Sequence, residues 1–438
     1  MLRELAERAG DAVEMARAAG ADDAWASASR SNGVEVQVRD GEVEKLQEST
    51  SRGLSIRLYV DGRYATYRTS DLRPEPLRAF VRDAVAMTRA LEQDPFRAIP
   101  DPALFEGRST LDLELHDPAV LALDTERRLA WCMEMDAPCR ADARVVSATV
   151  SVSGGHSLVA SASSNGFSGH HERTSHWRGG SVTLRDEGDA RPAGSFYAGA
   201  RHLEDVPDAP EIGRRALAEA IRRVGATQGP TRRTTMVVDP RVSGRLIGLL
   251  LGPATARSFS QRRSFWQGRV GERVLAERLT VEDDPLRVRG LGSRYYDGEG
   301  IAARRLPIVE GGALSNLFVD TYYGRKTELP PTTAGASNLV VAPGERGLAE
   351  LVRDVEEGYL VTAWLGGNSD GTTGDFSLGV RGHTLSGGRI GGPVQEMNVT
   401  GNLLSLFASL VEVGDDPWPY SSRQVPTLVF EGVQFSGA

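Results

Sequence analysis

Residues 364–404 read WLGGNSDGTTGDFSLGVRGHTLSGGRIGGPVQEMNVTGNLL, with glycine at 366, 367, 371, 374, 379, 382, 387, 388, 391, 392 and 401. Short apolar runs separate these glycines, so backbone must approach backbone closely or turn through positive φ repeatedly. The stretch is read as a crowded, turn-rich β region.

Around it lie 438 residues, enough for two or three domains. A composition 40% hydrophobic and 25% charged is that of a globular chain and excludes disorder and fibre. The formal net charge of -8 argues against a nucleic-acid surface, which needs a concentrated basic face. The pairs Arg232-Arg233, Arg262-Arg263 and Arg304-Arg305 are short, and Lys45 and Lys326 are the only lysines, so the arginine excess reflects coding bias rather than a binding groove. Cys132 and Cys139 match no tight metal knuckle. On one helix they would stand roughly 10 Å apart, too far for a disulfide, so free thiols in a reducing cytosol are expected. The mixed-charge start Met1-Leu2-Arg3-Glu4-Leu5-Ala6-Glu7-Arg8 does not resemble a signal peptide, and no apolar run reaches the ~20 residues that span a bilayer. A cytoplasmic location is expected.

Leu5, Ala9, Ala12, Val13 and Ala16 have helical spacing, and Gly20 stands ready to end that helix. The period then changes to two at 24–28, 34–38, 54–60 and 64–67, punctuated by Asn32-Gly33, Asp40-Gly41 and Asp61-Gly62, pairs that favour hairpin turns. A helix is predicted over 74–93 and a third over about 118–140, kinked or cut short by Pro138. Strands follow at 145–152, 157–164 and 169–184, with Asn165-Gly166 turning the last two, then another near 193–200 and a helix from Asp208 to Val224. Gly229-Pro230-Thr231-Arg232-Arg233 reads as a linker. The fold class is therefore α+β in two domains: a helix-plus-antiparallel-meander domain over 1–228 and a β-rich, glycine-rich domain over 234–438, joined by 229–233. The second opens with a buried strand at 234–238, then Asp239-Pro240 and a helix through Leu251. It closes with a hairpin at 309–313, strands near 337–341 and 425–432, and short helices at 347–356 and 402–410.

Thr373-Gly374-Asp375-Phe376-Ser377, Gly382, Gly387-Gly388, Pro393, Glu396 and Gly401-Asn402-Leu403 resemble the C-terminal signature of the TldD/TldE family, also called PmbA or modulator of gyrase proteins, and the order of elements resembles the family along the whole chain. The resemblance implies a zinc peptidase built from two related chains, one carrying the metal. In the zinc-carrying type a helix after the strand holds H-E-x-x-x-H, whose imidazoles bind zinc and whose carboxylate activates water, with a cysteine farther along. Aligning Gly244, Leu246-Ile247 and Gly252 with that pattern places Gly248, Leu249 and Pro253 where His, Glu and His would stand. None of the three can bind zinc or move a proton. Downstream there is no cysteine, and His383 is the only histidine. The resemblance thus selects the TldE/PmbA type: no cofactor or catalytic residue in this chain, and zinc in a TldD-like partner subunit. The pair would enclose unfolded peptide or leader segments across an obligate interface of more than ~2,000 Å². Peptide-cleft candidates are Asn338, Asn368, Thr373, Asp375 and His383. A homodimeric binding or scaffold protein of the same fold is the alternative, and neither reading involves nucleic acid or membrane.

His171-Glu172-Arg173-Thr174-Ser175-His176 also spells H-E-x-x-x-H. Read as a strand, it puts His170, Glu172, Thr174 and His176 on one face and His171 on the other, so its two histidines diverge. Solvent-facing strand residues, with His170, Glu172 and His176 able to pick up adventitious zinc or nickel, are expected. Asp375, Ser377 and His383 lack a nucleophile elbow and are read as turn-capping groups rather than a triad. Asp283-Asp284 and Asp297-Gly298-Glu299 are read as strand-terminating carboxylates that bind backbone amides. Gly290-Leu291-Gly292 lacks the third glycine of a dinucleotide fingerprint.

Overall fold

A computed structural model describes residues 1–437. Its first half is built on one antiparallel sheet of order β3-β2-β1-β4-β5-β6. The strands are β1 (Asp23–Arg39), β2 (Glu42–Val60), β3 (Arg63–Thr69), β4 (Val145–Ser163), β5 (Ser168–Leu184) and β6 (Ala193–Ala200). Ala24, Ala26, Ala28, Val36 and Val38 of β1 all point to one face, which is the face that helices cover. Helices α1 (Leu2–Ala18) and α2 (Pro74–Thr88) pack on one end of it, burying Leu5, Ala12, Leu77 and Val81 against Ile56 and Leu58. At the other end the sheet meets α4 (Thr125–Cys139) and α5 (Ala209–Ile221), which bury Met135, Ile212 and Ala216 against Val150 and Val182. Between α2 and α4 lies the single turn α3 (Pro118–Leu121). Both cysteines are buried free thiols on α4, and burial pushes each up to about 12.

Asp40-Gly41 and Asp61-Gly62 take positive φ at both positions and close the β1–β2 and β2–β3 hairpins, as their sequence requires. Asn32-Gly33 does not turn. It lies mid-strand in β1, paired with Thr50 and Ser49 on one side and His156 and Gly155 on the other. Gly154-Gly155 likewise sits inside an unbroken β4, where the sequence pattern predicts two strands. Close strand approach explains these glycines: a Cβ on Gly155 would stand 2.9 Å from the Asn32 carbonyl, and one on Gly154 2.9 Å from that of Ser175. The helix predicted over 118–140 is broken at 122–124, where Asp124 caps α4 by accepting from the Arg127 N–H at 2.7 Å. Pro138 sits in the last turn of α4 without kinking it short of Cys139. The first twelve residues of β2, 42–53, pair only with β1.

In the second half, β7 (Arg232–Val238) leads through Asp239-Pro240 into α6 (Pro240–Leu251). A small sheet of order β10-β9-β8-β11-β17 holds β8 (Val281–Asp283), β9 (Leu306–Glu310), β10 (Ala313–Leu314), β11 (Leu339–Val341) and β17 (Arg423–Gln424). The glycine-rich stretch forms the end of β12 (Glu357–Trp364), then β13 (Asn368–Ser369), β14 (Asp375–Ser386) and β15 (Arg389–Asn402). With β16 (Leu410–Val413) and β18 (Leu428–Ser436) these make a sheet ordered β12-β7-β18-β15-β14-β13, with β16 on β18. A further β12–β14 pairing closes its first five strands on themselves. Crowding is the reason for glycine here: a Cβ on Gly382 would overlap the Leu360 carbonyl across the β12–β14 pair.

The halves meet at several places. Trp25 and Phe167, on the helix-free face of the first sheet, receive Tyr296 with ring centroids 5.0 Å apart for the Phe167–Tyr296 pair. The Arg289 guanidinium donates to Glu114 at 2.6 Å. Arg241 at the start of α6 pairs with Asp239 and with Glu219 of α5, each at 2.8 Å. No helix among the described residues is long and apolar enough to cross a membrane.

Candidate functional site

Helix α6 is the element to which the family pattern directs attention. Asp239 caps it, accepting from the Arg241 N–H at 2.9 Å, and Pro240 occupies its first turn. Leu246, Ile247, Leu250 and Leu251 form its buried stripe beside Trp266, whose indole N–H donates to the Leu250 carbonyl at 2.9 Å. Gly248 and Leu249 lie in the last turns, and Gly252 closes the helix, so Pro253 falls just past its end. Leu249 packs half-buried on the core. Pro253 stands against the glycine-rich loop, 3.3 Å from where a Cβ on Gly371 would be. A Cβ on Gly248 would meet the guanidinium of Arg423, with Cζ and Nη1 each at 3.0 Å. The space that a longer side chain at 248 would enter is thus held by a permanent cation.

Residues 26–88 match the family model for PmbA/TldA metallopeptidase domain 1, residues 118–224 the central domain and residues 231–437 the C-terminal domain. The chain belongs to the PmbA/TldD metallopeptidase family. It is 26% identical to the metalloprotease PmbA of Escherichia coli O157:H7, over 99% of this chain and 96% of that one. A crystal structure from Bacteroides thetaiotaomicron, bearing the description modulator of DNA gyrase, is 35% identical and superposes with a TM-score of 0.95 over 99% of this chain and 98% of its own. TldE from Thermococcus kodakarensis shares the fold at a TM-score of 0.86, with 19% identity over 98% of this chain and 100% of that one. The segments matched by the first two PmbA/TldD models supply β1–β3 and β4–β6, which join in one sheet.

The residues singled out from the PmbA/TldD pattern fall in three places. Asn368 and Asp375 line one surface depression with Arg263 and Ser377. There the Thr373 hydroxyl donates to Asp375 at 2.8 Å and Asn402 Nδ2 donates to it at 3.0 Å, and these bonds hold its carboxyl below the usual carboxylate range. His383 is on the same strand but eight residues on, roughly 26 Å away along β14, and burial lowers its pKa. No triad of Asp375, Ser377 and His383 forms. Asn338 is buried in the neighbouring sheet with its amide fully engaged, accepting from the Gly292 N–H and donating to Asp284 O and Ser293 Oγ. Asp283 accepts from Ser337 N and Oγ, and Asp297 from the N–H groups of Glu299, Ile301 and Ala334, so both terminate turns.

The second H-E-x-x-x-H string lies on β5, as its strand reading requires. The expectation of solvent-facing histidines holds for His170, which is exposed, but fails for His176. His176 is fully buried against Trp131, its Nε2 accepting from Arg178 Nε at 3.0 Å and its Nδ1 without a partner. His171 packs on the opposite side near Tyr296, with ring centroids 6.2 Å apart. Burial, reinforced by nearby arginines, holds both imidazoles down to about 3. His176 therefore cannot join Glu172 at an exposed metal site, because its end of β5 is buried under Trp131 of α4. Glu172 instead meets His156 and His116, which local sequence patterns do not single out because they lie 16 and 56 positions away.

Proposed function

We propose that this chain is the subunit of a PmbA/TldD-type peptidase that lacks the catalytic zinc site. It acts with a zinc-carrying relative in a cytoplasmic heterodimer that cleaves unfolded polypeptides or trims leader segments. The observation that carries this reading is the Arg423 guanidinium over Gly248, together with Leu249 and Pro253 at the other two positions. The zinc site that the family pattern implies does not fit these residues, since none offers a ligand atom and the nearby Arg423 cation opposes a divalent ion there. The chain's part is then to supply wall and binding surface. Strand edges and the depression beside Asn368 and Asp375 offer main-chain and polar groups to an extended peptide.

Two measurements test this. Purified alone, the chain should show no metal-dependent cleavage of an unfolded substrate such as casein. Pull-down from the native cell, read by mass spectrometry, should recover a relative carrying H-E-x-x-x-H, and activity should appear when the two are combined. Recovery of this chain only as a homodimer, with no gain on adding such a relative, would favour the scaffold reading.

A further inference from the structure

We propose that His116, His156 and Glu172 form a binding site for a divalent transition-metal ion of the zinc class, unrelated to the α6 position discussed above. Their ligand atoms lie within 4.8 Å of one another. Glu172 Oε1 is 2.6 Å from His156 Nε2 and 3.4 Å from His116 Nε2, and the two imidazole centroids are 5.6 Å apart. Tetrahedral zinc with bonds of ~2.0–2.1 Å to nitrogen and oxygen sets its ligands roughly 3.4 Å apart. The His116–Glu172 separation already matches, and the His156–Glu172 pair must open by less than ~1 Å. His116 Nε2 is buried and has no hydrogen-bond partner among the described residues.

The fold brings these residues together for reasons unrelated to the nearby H-E-x-x-x-H string. Ladder partners Leu158↔Glu172 and His156↔Thr174 make His156 and Glu172 diagonal neighbours on one face of the β4–β5 pair. Strand β6 pairs with β5 only from His176 onward. Before that point the edge of β5 is taken by the segment leading into α3. The Thr174 N–H donates to the Leu115 carbonyl at 3.0 Å, and the Asp117 N–H donates to Thr174 Oγ1 at 2.9 Å. His116, between those two bonds, is thereby delivered to the same spot. Two imidazoles and a carboxylate favour zinc, nickel or cobalt over magnesium and calcium, which prefer all-oxygen sites.

Side-chain exposures of 28% for His116, 14% for His156 and 33% for Glu172 leave a path for entry and a fourth position for water. The neighbouring carboxylates are engaged: Asp117 accepts from the Ala119 and Leu203 N–H groups, and Glu114 pairs with Arg289. The ion would fasten the 113–117 segment to the sheet.

The test uses the full chain stripped with a chelator, titrated with zinc against a chromophoric competitor and with cobalt(II) followed by its visible absorption. One ion per chain, cobalt bands of four-coordinate intensity and a zinc-dependent rise in melting midpoint are expected. Glu172→Gln and His116→Ala should each weaken binding by more than the roughly 10–100-fold that loss of an outer partner costs, and should remove the midpoint rise. His171→Gln, on the opposite face, should change neither. Absence of stoichiometric binding by the wild-type chain would overturn the proposal and leave a plain His156–Glu172 hydrogen bond. So would wild-type affinity in both ligand variants, or equal loss in His171→Gln. None of these outcomes depends on whether the chain serves a peptidase.

Discussion

Lowering the pH from 7 to 5 should cost this protein about 2 kcal/mol of stability through His176 alone. Its ring is fully buried, and protonation would set a second cation 3.0 Å from the Arg178 guanidinium nitrogen. Burial first, and that arginine second, hold its pKa at about 3, whereas an unfolded histidine titrates near ~6.5. The folded pKa is depressed, so below ~6.5 the unfolded chain binds a proton that the folded chain refuses. The stabilising contribution is complete above ~6.5 and is lost progressively toward pH 3, at ~1.4 kcal/mol per pH unit, which integrates to about 2 kcal/mol between pH 7 and 5. Urea unfolding at pH 5, 6 and 7 measures it. The His176→Gln variant, whatever its absolute stability, should show a pH slope shallower by about one proton, and His171→Gln should act in the same direction. An unchanged slope in His176→Gln, or an NMR titration placing the folded His176 near ~6.5, would refute the reasoning.

Replacing Arg241 with Met should destabilise the chain by about 3 kcal/mol, because Asp239 and Glu219 both lose a partner where side chains are 7% and 11% exposed. Denaturant titration of Arg241→Met, Glu219→Gln and the double variant should give a coupling above ~1 kcal/mol. Gly194→Ala should lower the melting midpoint by several degrees, since its Cβ would overlap the Ala220 backbone and push α5 off β6, and calorimetry reads this directly. Installing Gly248→His, Leu249→Glu and Pro253→His together should yield zinc uptake at least about tenfold weaker than the same triple change with Arg423→Ala, as measured by competition titration.

The helices whose apolar residues recur at helical spacing were legible: Leu5 to Ala16 form the buried face of α1, and Leu77, Val81, Ala84 and Val85 that of α2. The β-rich character of 364–404 was legible too, because such glycine density suits crowded strands. Asn32-Gly33 misled for a physical reason. A turn pair is only a local preference, and two flanking strands that need a close approach at Gly33 and Gly155 override it. The broken helix before α4 turned on Asp124, whose capping bond outweighs the continued periodicity around it. His176 looked exposed because alternation fixes which residues share a face but not which face meets the helices. The His116, His156 and Glu172 group depends on strand register and on a connecting segment without regular structure, and no spacing rule encodes either.

The Arg423 guanidinium beside Gly248 means that any side chain grafted at position 248 must displace a cation. Rebuilding the H-E-x-x-x-H pattern on α6 would therefore take a fourth exchange, at Arg423, besides those at 248, 249 and 253.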